Sequence, residues 1–240
     1  MTFIPVKIRE AYGNLPTEWK LEKLKFFVDV RNSNVDKKID ENEISVRLCN
    51  YTDVYYNDKI NRDISFMEGS ATEVEIQKLQ LKSGQVIITK DSEAWEDIGI
   101  PSLVVEDMPD VVCGYHLSVL EPGPDILGRY LAWLCRSAPL NDQFKTSANG
   151  VTRYGLGQYP MKNAFICIPP LEIQGSIANF LDEKTEYILG IINKTTGRIL
   201  GTKALRDLSE HKDSSLCGRL MEYRNTLITA AVTGKIEQLR

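Results

Sequence analysis

The sequence predicts an α+β protein: a mixed α/β domain over residues 1–170, then a long C-terminal helical, coiled-coil-type arm over residues 171–240. Two observations carry this reading. Short β-branched or alternating apolar runs, bounded by Gly, Pro, Asp or Asn, fill the first part of the chain. After Pro169-Pro170, proline disappears and apolar residues recur at spacings of three and four. The length of 240 residues fits one large domain, or a domain plus a smaller module, at roughly 150 residues per domain.

In chain order, strands are expected at Val46-Arg47-Leu48, Val86-Ile87-Ile88-Thr89, Leu103-Val104-Val105, Val111-Val112-Cys113, His116–Leu120 and Ala164–Ile168. Ile126–Cys135 carries an apolar face at helical spacing, and Leu140–Lys145 a shorter one. Beyond the two prolines, Leu171 opens a helix with Ile173, Ile177, Phe180, Leu181, Ile188, Ile191 and Ile192 on one stripe. Leu216, Leu220, Tyr223, Leu227, Ala230 and Ala231 repeat the stripe, and Gly234 suits a C-terminal cap. Such spacing favours a helix-on-helix seam. Between the two stripes, Gly190, Gly197, Gly201 and Ser214-Ser215 leave two courses open: one long helix with soft spots, or a hairpin.

Net charge is −4, with 42% hydrophobic and 26% charged residues, an ordinary globular composition that can bury a core without metal or disulfide staples. No run approaches the ~20 apolar residues of a membrane helix. The first ten residues lack a charged start followed by an apolar stretch, so no secretory leader is expected. Cys49, Cys113, Cys135, Cys167 and Cys217 are odd in number and widely spaced, as expected of reduced, buried thiols in a cytoplasmic protein. With His116 and His211 the only histidines, a His-based metal site is not expected.

Catalytic motifs are missing. The chain has no G-x-S-x-G elbow, phosphate-binding G-x-x-x-x-G-K-[ST] loop or G-x-G-x-x-G after a strand. Asp110 and the Asp182-Glu183-Lys184 triplet mimic the order of a nuclease, but the triplet lies on a helix whose side chains point around a cylinder.

One stretch points elsewhere. Asn149-Gly150-Val151-Thr152-Arg153-Tyr154 leads into a Gly-Leu-Gly turn, then Ile168-Pro169-Pro170-Leu171-Glu172-Ile173-Gln174, then Ile177-Ala178-Asn179-Phe180-Leu181-Asp182. Tyr223–Ile228 and Ala231–Ile236 follow near the end, with Leu15-Pro16-x-x-Trp19-Lys20, Leu81–Thr89 and Gly114–Leu117 as weaker echoes upstream. In order and spacing, this set resembles the specificity (S) subunits of type I restriction-modification systems, over roughly Leu15 to Ile236.

That resemblance implies a DNA reader without chemistry of its own. The family's S subunit recruits methyltransferase (M) subunits, which bring S-adenosylmethionine, and nuclease-translocase (R) subunits, which bring ATP and Mg²⁺; no cofactor is then expected on this chain. S subunits usually carry two target-recognition domains, each followed by a conserved helix, and this chain has one of each. A half-length subunit paired with a second copy is therefore implied, directing methylation and restriction to a bipartite site on double-stranded DNA. The alternative is a coiled-coil assembly or inhibitor protein that binds the M subunit without reading DNA. The family's conserved region is usually shorter than this one by about 18 residues, an insert that would preserve helical phase and add ~27 Å if continuous.

Read as residues, a DNA reader needs cations for phosphates and forked or planar groups for base edges. Between Asp125 and Lys162 stand Arg129, Arg136, Lys145, Arg153 and Lys162 against only Asp125 and Asp142, interleaved with Tyr130, Trp133, Phe144, Tyr154 and Tyr159. The candidate DNA contacts are Lys90, Ser92, Lys145, Asn149, Thr152, Arg153 and Tyr154, Arg153 foremost because a guanidinium fork suits guanine or phosphate. Arg31, Lys37 and Lys38 are weaker candidates. The candidate dimer and coiled-coil residues are Ile177, Phe180, Leu181, Ile188, Ile191, Leu220, Tyr223 and Leu227.

Overall fold

The expected apolar runs assemble into two sheets. The computed structural model describes residues 4–197 and 215–239. The five-stranded sheet has the order β2 (Val28–Asn32), β11 (Leu117–Pro122), β7 (Val86–Thr89), β9 (Pro101–Val104) and β4 (Lys59–Ile60). Its central strand β7 is buried along its whole length, which is why it reads as an unbroken Val-Ile-Ile-Thr run rather than an alternation. The four-stranded sheet has the order β5 (Met67–Ala71), β3 (Ile44–Cys49), β10 (Met108–Cys113) and β6 (Gln80–Leu81). Two small antiparallel pairs complete the β structure: β1 (Lys20–Lys23) with β13 (Phe165–Ile168), and β8 (Asp91–Ser92) with β12 (Tyr154–Gly155). All six expected strands are present, within a few residues at their ends.

Short helices link these strands: α1 (Val6–Tyr12), α2 (Tyr51–Tyr56), α3 (Glu73–Leu79) and α6 (Gln158–Asn163). Asn50 with Asp53, and Thr72 with Glu75, form capping boxes at the starts of α2 and α3. The two expected helices are α4 (Gly128–Arg136) and α5 (Ala138–Ser147). Helix α4 buries every residue from Tyr130 to Cys135, because it lies between the five-stranded sheet and the C-terminal helices.

That enclosure corrects the basic, aromatic patch expected between Asp125 and Lys162. Arg129 and the Trp133 indole both donate to Asp182, at 2.6 and 2.8 Å. Arg136 donates to the carbonyls of Ala132 and Pro101 and pairs with Asp58 at 3.1 Å. The guanidinium groups of Arg136 and Arg224 lie 5.2 and 5.6 Å from the Trp133 ring. Arg129, Trp133 and Arg136 therefore tie α4 to its neighbours instead of forming an open cationic surface.

Helix α7 (Leu171–Thr196) starts where expected, and α8 (Leu216–Val232) ends just before Gly234, whose φ is +67°. Ile188 and Ile192 cluster with Cys217 and Met221, while Ile177 and Leu181 share a core with Ile228 and Val232. This pairing runs the two helices antiparallel, so the seam forms within one chain. Of the candidate dimer residues, Ile177, Leu181 and Ile188 are buried in it; Phe180, Ile191, Leu220 and Leu227 are half-buried, and Tyr223 is exposed. Most of the segment left open in sequence, residues 195–216, falls outside the described residues.

Gln174 explains the Pro-Pro-Leu-x-x-Gln signature. Fully buried, its amide accepts from the Leu127 N–H at 2.9 Å and donates to the carbonyls of Asp125 and Pro169, both at 2.9 Å. One side chain thus fixes the start of α7 to the turn that launches α4. The core runs on across Pro169-Pro170, joining Tyr12, Trp19, Tyr130 and Phe165 to Ile177, Leu181, Ile228 and Val232. All five cysteines are buried, and burial pushes the Cys113, Cys135 and Cys167 thiols up to about 12.

Candidate nucleic-acid interface

The two loops singled out in sequence, one after Thr89 and one around Arg153, meet in space. Strand β12 pairs with β8, Tyr154 opposite Ser92 and Gly155 opposite Asp91. The backbones of Asn149 and Gly155 exchange hydrogen bonds of 3.0 and 2.8 Å, closing residues 149–155 into a projecting loop. Leu156 N–H donates to the Lys90 carbonyl at 2.7 Å and anchors the ribbon to the sheet domain.

Gly150 makes the projection possible. Its φ is +147°, and a Cβ there would stand 1.8 Å from the Arg153 carbonyl oxygen. Only glycine fits so close a backbone approach at that angle. The loop consequently lifts Val151, Thr152 and Arg153 into solvent, with Val151 96% exposed. Arg153 has a single ion pair among the described residues, a loose 3.9 Å approach to Glu93 across the ribbon.

The other candidates divide between tip and base. Asn149 and Thr152 are exposed beside Arg153, and Tyr154 is half-buried where the ribbon meets the core. Lys90 is buried at the base, its ammonium 3.2 Å from Asp91 and 4.6 Å from the Tyr115 ring centroid. Ser92 is also buried; its Oγ accepts from the Ala94 N–H and lies 3.3 Å from the Tyr51 hydroxyl. Lys90 and Ser92 therefore brace the ribbon, while Asn149, Thr152 and Arg153 present themselves. Lys145 flanks it, its ammonium 5.6 Å from the Trp95 ring and its carbonyl accepting from the Trp95 indole at 2.9 Å.

Sequence reasoning missed several members of this face. Tyr51 reaches Ser92 from α2, Tyr115 stands half-exposed over Lys90, and His116 lies 3.4 Å from Asp91. Each sits more than twenty residues away along the chain, so no local pattern announces them. Of the weaker basic candidates, Arg31 is held by Asp29, Glu121 and the Lys78 carbonyl. Lys37 and Lys38 are exposed.

The acidic groups that mimic a nuclease order in sequence are engaged elsewhere. Asp110 binds Arg47 at 2.8 Å, which holds its carboxyl below the usual range, and Asp182 serves Arg129 and Trp133. A groove of about 570 Å³ between α4, α7 and β9 is rimmed by these same pairs, Arg129 with Asp182 and Arg136 with Asp58. Among the described residues, no group of three or more His, Cys, Asp or Glu could hold a metal ion.

Comparison with known proteins gives a consistent result. Residues 16–199 match the family described as the type I restriction modification DNA specificity domain. A curated protein of Methanocaldococcus jannaschii, named for the specificity subunit of the type I restriction enzyme MjaX, is 25% identical over 185 residues, covering 76% of this chain and 43% of that protein. The HsdS subunit of Thermoanaerobacter tengcongensis superposes with a TM-score of 0.51 at 14% identity, covering 96% of this chain and 51% of that one. A chain from a study of type I R-M assembly and conformational transition gives 0.54 at 14% identity, covering 93% and 48%. These two likenesses confirm the fold, a sheet-rich α/β domain followed by long helices. The chain spans about half the length of these relatives. By its family match, by the order of its motifs and by its fold, the chain belongs to the type I restriction-modification DNA specificity family.

Proposed function

We propose that this chain reads double-stranded DNA through the β8–β12 ribbon and delivers methyltransferase and restriction subunits to the site. The observation that carries this reading is the ribbon itself. Two segments more than fifty residues apart combine to project Thr152 and Arg153, on a loop only glycine permits, from a specificity-family domain. A two-stranded ribbon is an element that a major groove admits.

The described residues hold one recognition unit followed by one helical hairpin, and pairing with a second copy would supply the other half of a bipartite site. The helical hairpin offers a place for it. Phe180, Tyr187 and Ile191 share one flank of α7, and Leu216, Leu220, Tyr223 and Leu227 share a flank of α8. Antiparallel pairing brings both flanks to the side away from α4. Tyr187 and Tyr223 are 68% and 58% exposed there, an apolar stripe suited to a matching hairpin. S-adenosylmethionine, ATP and Mg²⁺ are then the business of the partner subunits. The acidic balance of the chain predicts that, alone, it holds DNA weakly and with strong salt dependence.

Reconstitution with the cognate methyltransferase subunit, followed by sequencing of the modified DNA, tests the proposal. A split methylated motif with two related halves is expected, together with a two-copy solution mass. A contiguous motif would overturn the paired reading, and methylation unaffected by loss of this chain would overturn the DNA-reading role.

A further inference from the structure

Glu93 stands opposite Arg153 on the face that the ribbon would present to DNA. It is 83% exposed in its side chain, stands at the ribbon tip, and has no ion pair among the described residues except the loose 3.9 Å approach to Arg153. A carboxylate so placed is repelled by both DNA backbones unless it meets hydrogen-bond donors in the groove. Base edges of the major groove offer such donors only as the exocyclic amino groups of cytosine and adenine. At adenine the amino group adjoins N7, an acceptor that repels the second carboxylate oxygen; at cytosine its outer neighbour is the C5–H edge, and the acceptor on its inner side, guanine O6, is one that a guanidinium can occupy.

The pairing with Arg153 narrows the chemistry further. A G·C pair presents the guanine acceptors N7 and O6 and, beside them, the cytosine N4 donor. A guanidinium next to a carboxylate presents the complementary order, two donors and then an acceptor. We infer that Arg153 and Glu93 together read one G·C base pair in each half of the target, Arg153 on guanine and Glu93 on cytosine N4. This rests on the DNA-reading role proposed above and adds the base class that the ribbon selects. The exposed pair also has a use before DNA arrives. It keeps the guanidinium near its working position at little cost, since exposed ion pairs are weak.

The experiment selects methylated sequences from a duplex library randomised across the target, using the full chain in complex with its methyltransferase subunit. Wild type, Glu93→Ala, Glu93→Gln and Arg153→Ala are compared. The wild-type complex is expected to require G·C at one position of each half. Glu93→Ala should flatten the preference at that position, by roughly 5- to 150-fold, and leave the other positions unchanged, while Glu93→Gln, whose amide oxygen still accepts from cytosine N4, should flatten it less. Arg153→Ala should flatten the same position. Unaltered preference at every position in Glu93→Ala, or a uniform change in binding across all sequences, would overturn the inference while sparing the DNA-reading role. A wild-type complex with no sequence preference would overturn both.

Discussion

Arg153→Ala is expected to lower discrimination between target and non-target duplex by about 1–3 kcal/mol, roughly 5- to 150-fold, without changing thermal stability. Both halves of this expectation follow from its surroundings. The side chain is half exposed, and its single ion pair, at 3.9 Å to an even more exposed Glu93, contributes little to folding. Surface substitutions of this kind stay within about 0.5 kcal/mol. A forked guanidinium on a projecting loop, by contrast, matches the acceptor pair of guanine. Competition binding of target and scrambled duplexes by the reconstituted complex, alongside a melting curve, checks the two halves separately. Equal loss on both duplexes would assign Arg153 to phosphate contact instead of base reading.

The second large effect concerns the junction of arm and domain. Gln174→Leu removes the partner of the Leu127 N–H and of the Asp125 and Pro169 carbonyls in a fully buried position. Orphaned buried polar groups cost roughly 1–3 kcal/mol each, so a loss of about 4 kcal/mol is expected. For a chain of this size that corresponds to a fall in melting temperature of roughly 8–16 °C. Ser176→Ala, two residues on and exposed, serves as the control and should shift it little. A Gln174→Leu protein melting with wild type would show that α7 is not held by this amide.

Much of this architecture was legible in the sequence because it is governed by local pattern. The β-branched runs became strands, the three-and-four spacing after Pro170 became α7 and α8, and Gly234 sits at the positive φ expected of a cap. The Arg153 loop was legible too, since a glycine three residues before a lone arginine signals a tight projection. What escaped was long-range. Two-residue strands such as β4, β8 and β12 carry too few residues for an alternation, and they exist because a neighbour completes them. Composition alone also misplaced the cations. Arg129 and Arg136 count as surface charge in a sequence, yet each is bound to an acidic residue more than fifty positions away. The helical stripe likewise revealed a seam without revealing that Ile177, Leu181 and Ile188 would find their partners in the same chain.

The ribbon of β8 and β12 is expected to lie on the bases of its target. A photo-crosslinking amino acid at Thr152, exposed at the tip beside Arg153, tests this most directly in the complex of this chain, its methyltransferase subunit and a target duplex. Crosslinks to bases within each half of the split site are predicted, with none from the same group placed at Glu106, beyond the opposite end of β9 from the ribbon. Crosslinks from the Glu106 position alone, in a complex that still methylates its site, would contradict it.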